Sequence, residues 1–189
     1  HGEGKYDEAL ASFEKILALD PGHPAAWLGK AAVLDRLGRA EEALRAYDRA
    51  VETGPREARA WNGRGGLLYR MGRIPEAIHS FENAVEIDPR LAGAWYNLAA
   101  VKGSQGRHEE ALLAVEKALQ INPDDALAWN NKGGSFFQLG RYEEAVACFE
   151  QALAIDPSYA LAWFGLANFY DFSGSFGLMP PKIADELCR

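Results

Sequence analysis

The chain has 189 residues with 48% hydrophobic and 25% charged content, a composition typical of a globular protein and one that excludes a disordered chain. Its net charge of −7 disfavours a nucleic-acid partner, because contacts with phosphates need a basic face. No apolar run approaches the roughly 20 residues of a membrane-spanning helix, so we expect no membrane insertion.

The two cysteines, Cys148 and Cys188, belong to no CxxC pair and no metal-spaced cluster. We therefore predict free thiols in a reducing, cytoplasmic compartment. A disulfide between them is the alternative. The four histidines are scattered without the spacing of metal ligands, so we expect neither a metal nor a cofactor.

A ladder of tryptophans runs through the chain at a spacing of 34 residues, and each member follows an Ala: Trp27, Trp61, Trp95, Trp129 and Trp163. A period this regular indicates one structural unit copied along the chain. Each copy contains two helical stretches. The first runs from just before Trp to a Gly that can end a helix in the left-handed conformation, namely Gly38, Gly72, Gly106 or Gly140. The second starts at acidic residues and stops before a Pro.

In chain order, residues 1–23 carry only the second helix of a truncated repeat, and the chain begins at His1. We therefore expect a longer native protein. Full repeats are predicted at 24–57, 58–91, 92–125 and 126–159, and residues 160–174 match the first helix of a last repeat. Residues 175–189 diverge, and we interpret them as a cap on the last repeat. A disordered tail or a segment that binds another molecule are the alternatives. We predict one single array over 1–189.

The copied unit resembles the tetratricopeptide repeat, or TPR, over residues 1 to about 174. The resemblance rests on Trp, a small residue four positions later, an Ala and then an aromatic in the second helix, and a closing Pro. It implies an all-α fold, a right-handed superhelical α-solenoid of tandem 34-residue helix-turn-helix repeats. The small residues, Gly65, Ala99, Gly133 and Ala167, lie where two helices must approach closely. We expect the tryptophans to be buried packing residues that do not touch a ligand.

No catalytic motif is present in the sequence. His108 is followed by two glutamates but lacks the second His of a zinc-protease helix. The run Gly63-Arg64-Gly65-Gly66 lies within a predicted helix with no strand before it, unlike a phosphate loop. Paired glutamates such as Glu143 and Glu144 recur at a helix start and are interpreted as helix-end charges. We therefore predict a protein that is not an enzyme.

In the TPR family the first helices line a concave groove that binds extended peptides or partner helices. Positions of the first helix that do not pack include Leu127, Gln138, Leu161, Asp171 and Phe172. From this face we select ten peptide-binding candidates: Arg59, Asn62, Tyr69, Tyr96, Asn97, Asn130, Asn131, Phe137, Phe164 and Asn168.

Amide side chains both donate and accept, so a row of them can pair with a peptide backbone. The row resembles the asparagine ladder in the repeat domain of the O-linked N-acetylglucosamine transferase. The aromatic candidates would form apolar pockets. The alternatives are that Asn is a common polar residue on a helix face and that the aromatics pack against neighbouring units.

The carboxylate clamp of chaperone-adaptor repeats needs a Lys directly after Trp, where this chain has Leu28, Asn62, Tyr96 and Asn130. Capture of a chaperone C-terminus is therefore not expected. We predict a non-catalytic scaffold that binds a protein or peptide partner. A self-assembling scaffold, homo-oligomeric through its ends or tail, is one alternative. The docking arm of a larger enzyme, such as a glycosyltransferase, is another.

Overall fold

The computed structural model describes residues 3–172, with side chains from Lys5 to Tyr170. Within these residues the chain forms ten α-helices and no strand. Five second helices are α1 (Glu3–Leu19), α3 (Ala40–Thr53), α5 (Ile74–Ile87), α7 (His108–Ile121) and α9 (Tyr142–Ile155). Five first helices are α2 (Pro24–Arg36), α4 (Ala58–Arg70), α6 (Ala92–Ser104), α8 (Ala126–Gln138) and α10 (Ala160–Phe172). The predicted all-α solenoid of helical repeats is confirmed.

The chain divides into two compact units, residues 1–97 and 98–189. In unit 1, α2 packs against α1 and α3, and α4 packs against α3 and α5. In unit 2, α8 packs against α7 and α9, and α10 packs against α8 and α9. The single array over 1–189 stays a prediction. The predicted cap at 175–189 and the alternative disulfide to Cys188 fall outside the described residues.

The turn inside each hairpin depends on a glycine in the left-handed conformation. The predicted glycines at 38, 72, 106 and 140 have φ between 72° and 74°. At Gly38 the peptide N–H donates to the carbonyl of Asp35 at 3.0 Å, and the N–H of Arg39 donates to the carbonyl of Leu34 at 3.0 Å. These two bonds form a Schellman motif, which satisfies carbonyls that the end of a helix would otherwise leave unpaired.

An arginine follows each of these glycines and forms a two-pronged ion pair at the start of the second helix. Arg39 donates from Nε and Nη2 to the two carboxylate oxygens of Glu42, both at 2.7 Å. The same pair recurs at the other three hairpins, between Arg73 and Glu76, Arg107 and Glu110, and Arg141 and Glu144. Because all four pairs are exposed, water and salt screen them, and they help to orient the turn more than they stabilise the fold.

The tryptophans connect each first helix to the loop before it. Every indole Nε1–H donates to the carbonyl of the proline six residues earlier, at 2.8 Å for Trp27 and Pro21 and at 2.8 Å for Trp129 and Pro123. The prediction that the tryptophans are buried is wrong in degree, since all five are half-buried. The ring packs on the repeat while its N–H edge stays at the surface to hold the loop.

Small residues open the space that large aromatics fill, as predicted. A Cβ built on Gly133 would lie 2.7 Å from the ring of Phe149, and one on Gly65 would lie 2.7 Å from Phe81. No side chain fits at such distances, so glycine lets the aromatic of the second helix press against the first helix. Phe81 and Phe149 are both buried.

Candidate peptide-binding surface

Unit 1 holds five of the ten predicted site residues, on α4 and on the part of α6 that belongs to this unit. Arg59 lies exposed in the first turn of α4, and Tyr69 lies near its end with 39% of its surface exposed. Tyr96 is half-buried on α6. Asn62 and Asn97 meet directly, because Nδ2 of Asn97 donates to Oδ1 of Asn62 at 3.0 Å. The structure therefore pairs two of the predicted amides with each other.

This pairing reduces what the two amides can offer to a ligand. An asparagine has two N–H donors and a carbonyl oxygen with two acceptor sites. The bond between Asn97 and Asn62 engages one donor of the first and one acceptor site of the second. The same face carries a second polar pair, the ion pair between Arg70 of α4 and Asp35 of α2. In unit 1 this face is consequently rich in internal polar contacts.

Unit 2 has a different chemistry on the corresponding face, where four of the predicted residues line one cavity. The cavity has a volume of about 250 Å³, and its predicted lining residues are Asn130, Phe137, Phe164 and Asn168. Five further residues complete the lining: Gly134, Gln138, Phe149, Leu161 and Gly165. Asn131, the tenth candidate, is half-buried on α8 and is not part of the lining.

The wall of the cavity is built by Phe149 of α9. Its ring lies between two glycines, because a Cβ on Gly133 of α8 or on Gly165 of α10 would approach it to 2.7 Å. The rim is apolar and open to solvent: Phe164 is 62% exposed and Leu161 is 59% exposed. Leu127 occupies on α8 the repeat position that Leu161 occupies on α10, and it is also exposed. The corresponding residues of unit 1 are Ala25, Arg59 and Gly93.

The carbonyl oxygen of the Asn130 side chain is buried and has no hydrogen-bond partner among the described residues. The repeat explains why. Asn62 receives its hydrogen bond from the residue 35 positions later, and the residue 35 positions after Asn130 is Gly165. Glycine has no side chain to donate. No larger residue fits there without displacing Phe149. An unpaired buried acceptor is costly and is uncommon in native folds.

Among the described residues, the lining of this cavity contains no ionisable side chain. Cys148, next to Phe149 in the chain, is buried and does not line it. Burial raises the pKa of the Cys148 thiol to about 11, so it stays protonated at neutral pH. The described lining of the cavity therefore presents apolar surface, amide groups and one buried unpaired oxygen, with no formal charge.

Two cavities of unit 1 contain cations stacked over a tryptophan. One, of about 260 Å³, brings Lys30 and Arg49 within 5.8 and 5.7 Å of the ring centre of Trp27. In the other, of about 380 Å³, the guanidinium of Arg64 lies 6.0 Å from the ring centre of Trp61. These cations also pair with acids, Lys30 with Glu14 and Arg64 with Asp48. We interpret the cation–tryptophan contacts as packing within a hairpin and the two ion pairs as contacts between neighbouring hairpins.

The sequence analysis missed three residues of the unit 2 cavity: Gly134, Phe149 and Gly165. Phe149 lies on a second helix, outside the face on which candidates were sought. A signal for Gly165 does exist in the sequence, since Gly29 and Gly63 occupy the same place, two residues after Trp. Each faces an aromatic of the preceding second helix, so glycine at this position indicates an aromatic packed beneath it.

Comparison with known proteins identifies the family. Residues 1–170 match the C-terminal domain of the cilia and flagella-associated protein 70, a TPR domain. The chain belongs to this TPR family. The family and the fold are those of protein-interaction scaffolds. A search of curated proteins found no match.

Solved structures of TPR proteins share the fold. A crystal structure of MamA is 26% identical, with a TM-score of 0.76, and the match covers 84% of this chain and 92% of MamA. YrrB, described as a TPR protein with an unusual peptide-binding site, is 24% identical with a TM-score of 0.76, over 87% of this chain and 84% of YrrB. PilF of Pseudomonas aeruginosa is 20% identical with a TM-score of 0.81, over 92% of this chain and 79% of PilF.

A helix that crosses a membrane must be both long and apolar. Between residues 3 and 172, no helix is both long enough and apolar enough to cross a bilayer.

Proposed function

We propose that this TPR domain is a non-catalytic scaffold that binds an extended peptide or partner segment on the exposed face of its first helices. The observation that carries the proposal is the unit 2 cavity, where exposed apolar side chains surround the unpaired oxygen of Asn130. Exposed apolar surface around a concave site is typical of a surface that a partner covers.

The residues of the cavity divide into two roles. Phe164, Leu161 and Phe137 would contact an apolar side chain of the ligand, and burial of such a side chain would supply most of the binding energy. Asn168 and Gln138 would bind polar groups at the rim. In unit 1 the proposed contacts are Arg59, Tyr69, Tyr96 and the unpaired donors and acceptors of Asn62 and Asn97. Asn131 remains a proposed contact beside the unit 2 cavity.

The comparisons support this proposal at the level of the fold. The chain belongs to a TPR family, and YrrB, which has the same fold, is described by its peptide-binding site. At 24% identity this likeness supports a shared fold and does not indicate which ligand this chain binds.

A displayed peptide library selected on the full chain tests the proposal. Selected peptides are measured by calorimetry on the unchanged protein and on two variants, Phe164→Ala and Leu113→Ala. Leu113 is a matched control because it is 67% exposed, lies on α7 and does not line the cavity. We expect Phe164→Ala to weaken binding by about tenfold or more and Leu113→Ala to leave it unchanged. Equal effects of the two variants would contradict the proposed site.

Self-assembly is separated from peptide binding by sedimentation of the same proteins. A dimer that forms with rising concentration and that Phe164→Ala dissociates would assign the apolar rim to contacts between copies. A concentration-independent monomer leaves the rim free for a different partner, as we propose.

A further inference from the structure

We propose that the unit 2 cavity receives the side chain of a tryptophan of the bound partner, with the indole N–H donating a hydrogen bond to Oδ1 of Asn130. This inference rests on the proposed function, since it names the residue that the peptide site would select. Three properties of the cavity lead to it: a buried unpaired acceptor, the absence of a buried unpaired donor among the described lining residues, and a described lining that is apolar or amide and carries no charge.

The unpaired acceptor requires a donor from the ligand. Oδ1 of Asn130 is buried and unpaired, so an occupant without a donor would leave it unpaired inside the complex as well. A site with a buried polar group discriminates strongly against ligands that cannot pair with it. Aliphatic side chains and phenylalanine would fill the space but would leave this oxygen unpaired.

The described lining of the cavity contains no buried hydrogen-bond donor that lacks a partner. Among the described lining residues, Oδ1 of Asn130 is the one buried side-chain polar atom without a partner. The tyrosine hydroxyl carries acceptor sites besides its donor, and no buried unpaired donor of the described lining matches them. The indole of tryptophan carries a donor and no acceptor, so it suits a buried acceptor that has no buried unpaired donor beside it.

The charge and the volume of the cavity also favour a tryptophan side chain. Lysine and arginine would bring a charge into a lining whose described residues offer no carboxylate, and removal of that charge from water would oppose binding. A cavity of about 250 Å³ lies below the range of roughly 300–1,000 Å³ that whole small-molecule ligands occupy. It suits one large side chain, which Phe137, Phe164 and Leu161 of the lining would contact.

The occupant is not one of the tryptophans within these 189 residues. The last 17 residues of this chain, 173–189, contain neither Trp nor Tyr. All five tryptophans of the chain already donate their N–H to a proline carbonyl within their own fold, so a second copy offers no free indole donor.

The test uses two small probes and the full chain labelled with ¹⁵N. The first probe is N-acetyl-tryptophan amide. The second is the amide of N-acetyl-3-benzothienylalanine, which has the same shape but carries sulfur in place of the N–H. Titrations followed by NMR report both the affinity and the site, because the side-chain amide of Asn130 gives its own signals. We expect the tryptophan probe to shift these signals and to bind about tenfold more tightly than its sulfur analogue.

Two variants show whether the preference depends on the named oxygen. Asn130→Leu removes the acceptor at similar volume, and we expect the two probes to bind it equally. Asn131→Leu is the matched control, one residue along α8, and we expect it to keep the tenfold preference. Thermal unfolding of each variant verifies that the fold is retained.

The inference is overturned if both probes bind the unchanged protein equally, if the preference survives in Asn130→Leu, or if neither probe shifts Asn130. These outcomes differ from a failure of the proposed function. Selected peptides that lack tryptophan but depend on Phe164 would retain the peptide site and remove the tryptophan assignment.

Discussion

Asn97 donates a hydrogen bond from Nδ2 to Oδ1 of Asn62 at 3.0 Å, and this bond joins two successive first helices, α6 and α4. The repeats therefore use the same amide position in two ways. In unit 1 the amide on α4 is satisfied by the amide on α6. In unit 2 the residue that corresponds to Asn97 is Gly165, and the oxygen of Asn130 has no hydrogen-bond partner among the described residues.

The amide pair makes a testable contribution to stability. Replacement of Asn97 with Ala would leave the half-buried oxygen of Asn62 without its donor, and we expect the free energy of unfolding to fall by about 1 kcal/mol. Asn131→Ala, at the equivalent repeat position on α8, should change it by less than about 0.5 kcal/mol. Urea denaturation followed by circular dichroism measures both. Equal losses in the two variants would show that the amide pair is not the cause.

Adjacent glycines of α8 should respond to alanine in opposite directions. A Cβ at residue 133 would lie 2.7 Å from the Phe149 ring, so Gly133→Ala should destabilise the fold by about 1–3 kcal/mol. A Cβ at residue 134 meets nothing within 4 Å, so Gly134→Ala should stabilise by about 0.5–1 kcal/mol through helix propensity. Thermal and urea unfolding of both variants check this. A Gly133→Ala variant as stable as the unchanged protein would mean that Phe149 moves at little cost.

Arg64 connects three elements of unit 1 and should not be replaceable by lysine. Its Nε donates to Asp48 of α3 at 2.7 Å, and its Nη1 donates to the hydroxyl of the fully buried Ser80 of α5 at 2.8 Å. A lysine ammonium cannot reproduce this fork, so Arg64→Lys should cost about 1–2 kcal/mol. The control is Arg49→Lys, where the pair with Glu52 is exposed and the expected cost is below about 0.5 kcal/mol. Denaturant unfolding measures the free energy of unfolding of both variants. A loss for Arg64→Lys no larger than that for Arg49→Lys would contradict the role of the Arg64 network.

The loss of folding stability at acid pH should depend on Glu110. Hydrogen bonds from Arg107 and then Lys102 lower the pKa of Glu110 to about 2 from its ordinary value of 4.5. Because the folded pKa lies below the unfolded one, the stabilisation is present above pH 4.5 and is lost as the pH falls to about 2. A carbon-detected NMR titration should show this pKa rising toward 4.5 in the double variant Arg107→Gln/Lys102→Gln. Glu110→Gln should remove this part of the pH dependence of stability. An unchanged pH dependence below pH 4.5 in this variant would argue against the contacts of Glu110 with Arg107 and Lys102.

Much of the fold follows from local rules that the sequence displays openly. The 34-residue spacing of tryptophans, the glycine after each first helix and the proline after each second helix predict helix hairpins, and the hairpins form where expected. Gly38 illustrates the reason, since a left-handed φ of 72° is available to glycine without strain and ends α2 at a defined place. The resemblance to TPR proteins rests on the same residues and is confirmed.

The sequence also places most of the candidate residues on the exposed face of the first helices, because helical periodicity determines which positions cannot pack. Periodicity cannot show whether an amide on this face already has a hydrogen-bond partner in the fold. Asn62 and Asn130 both directly follow a tryptophan, and the sequence treats them alike. Their difference lies in the next repeat, where the chain brings Asn97 to one and Gly165 to the other.

The tertiary structure alone decided which part of that face is open. Phe149 comes from a second helix and occupies the space left by Gly133 and Gly165, and this packing both forms the cavity and prevents a donor from standing opposite Asn130. Such a relationship joins residues on three helices and depends on the distances between them. Local pattern determined the repeats and their register, whereas the contact of one aromatic ring with two glycines determined where the cavity forms.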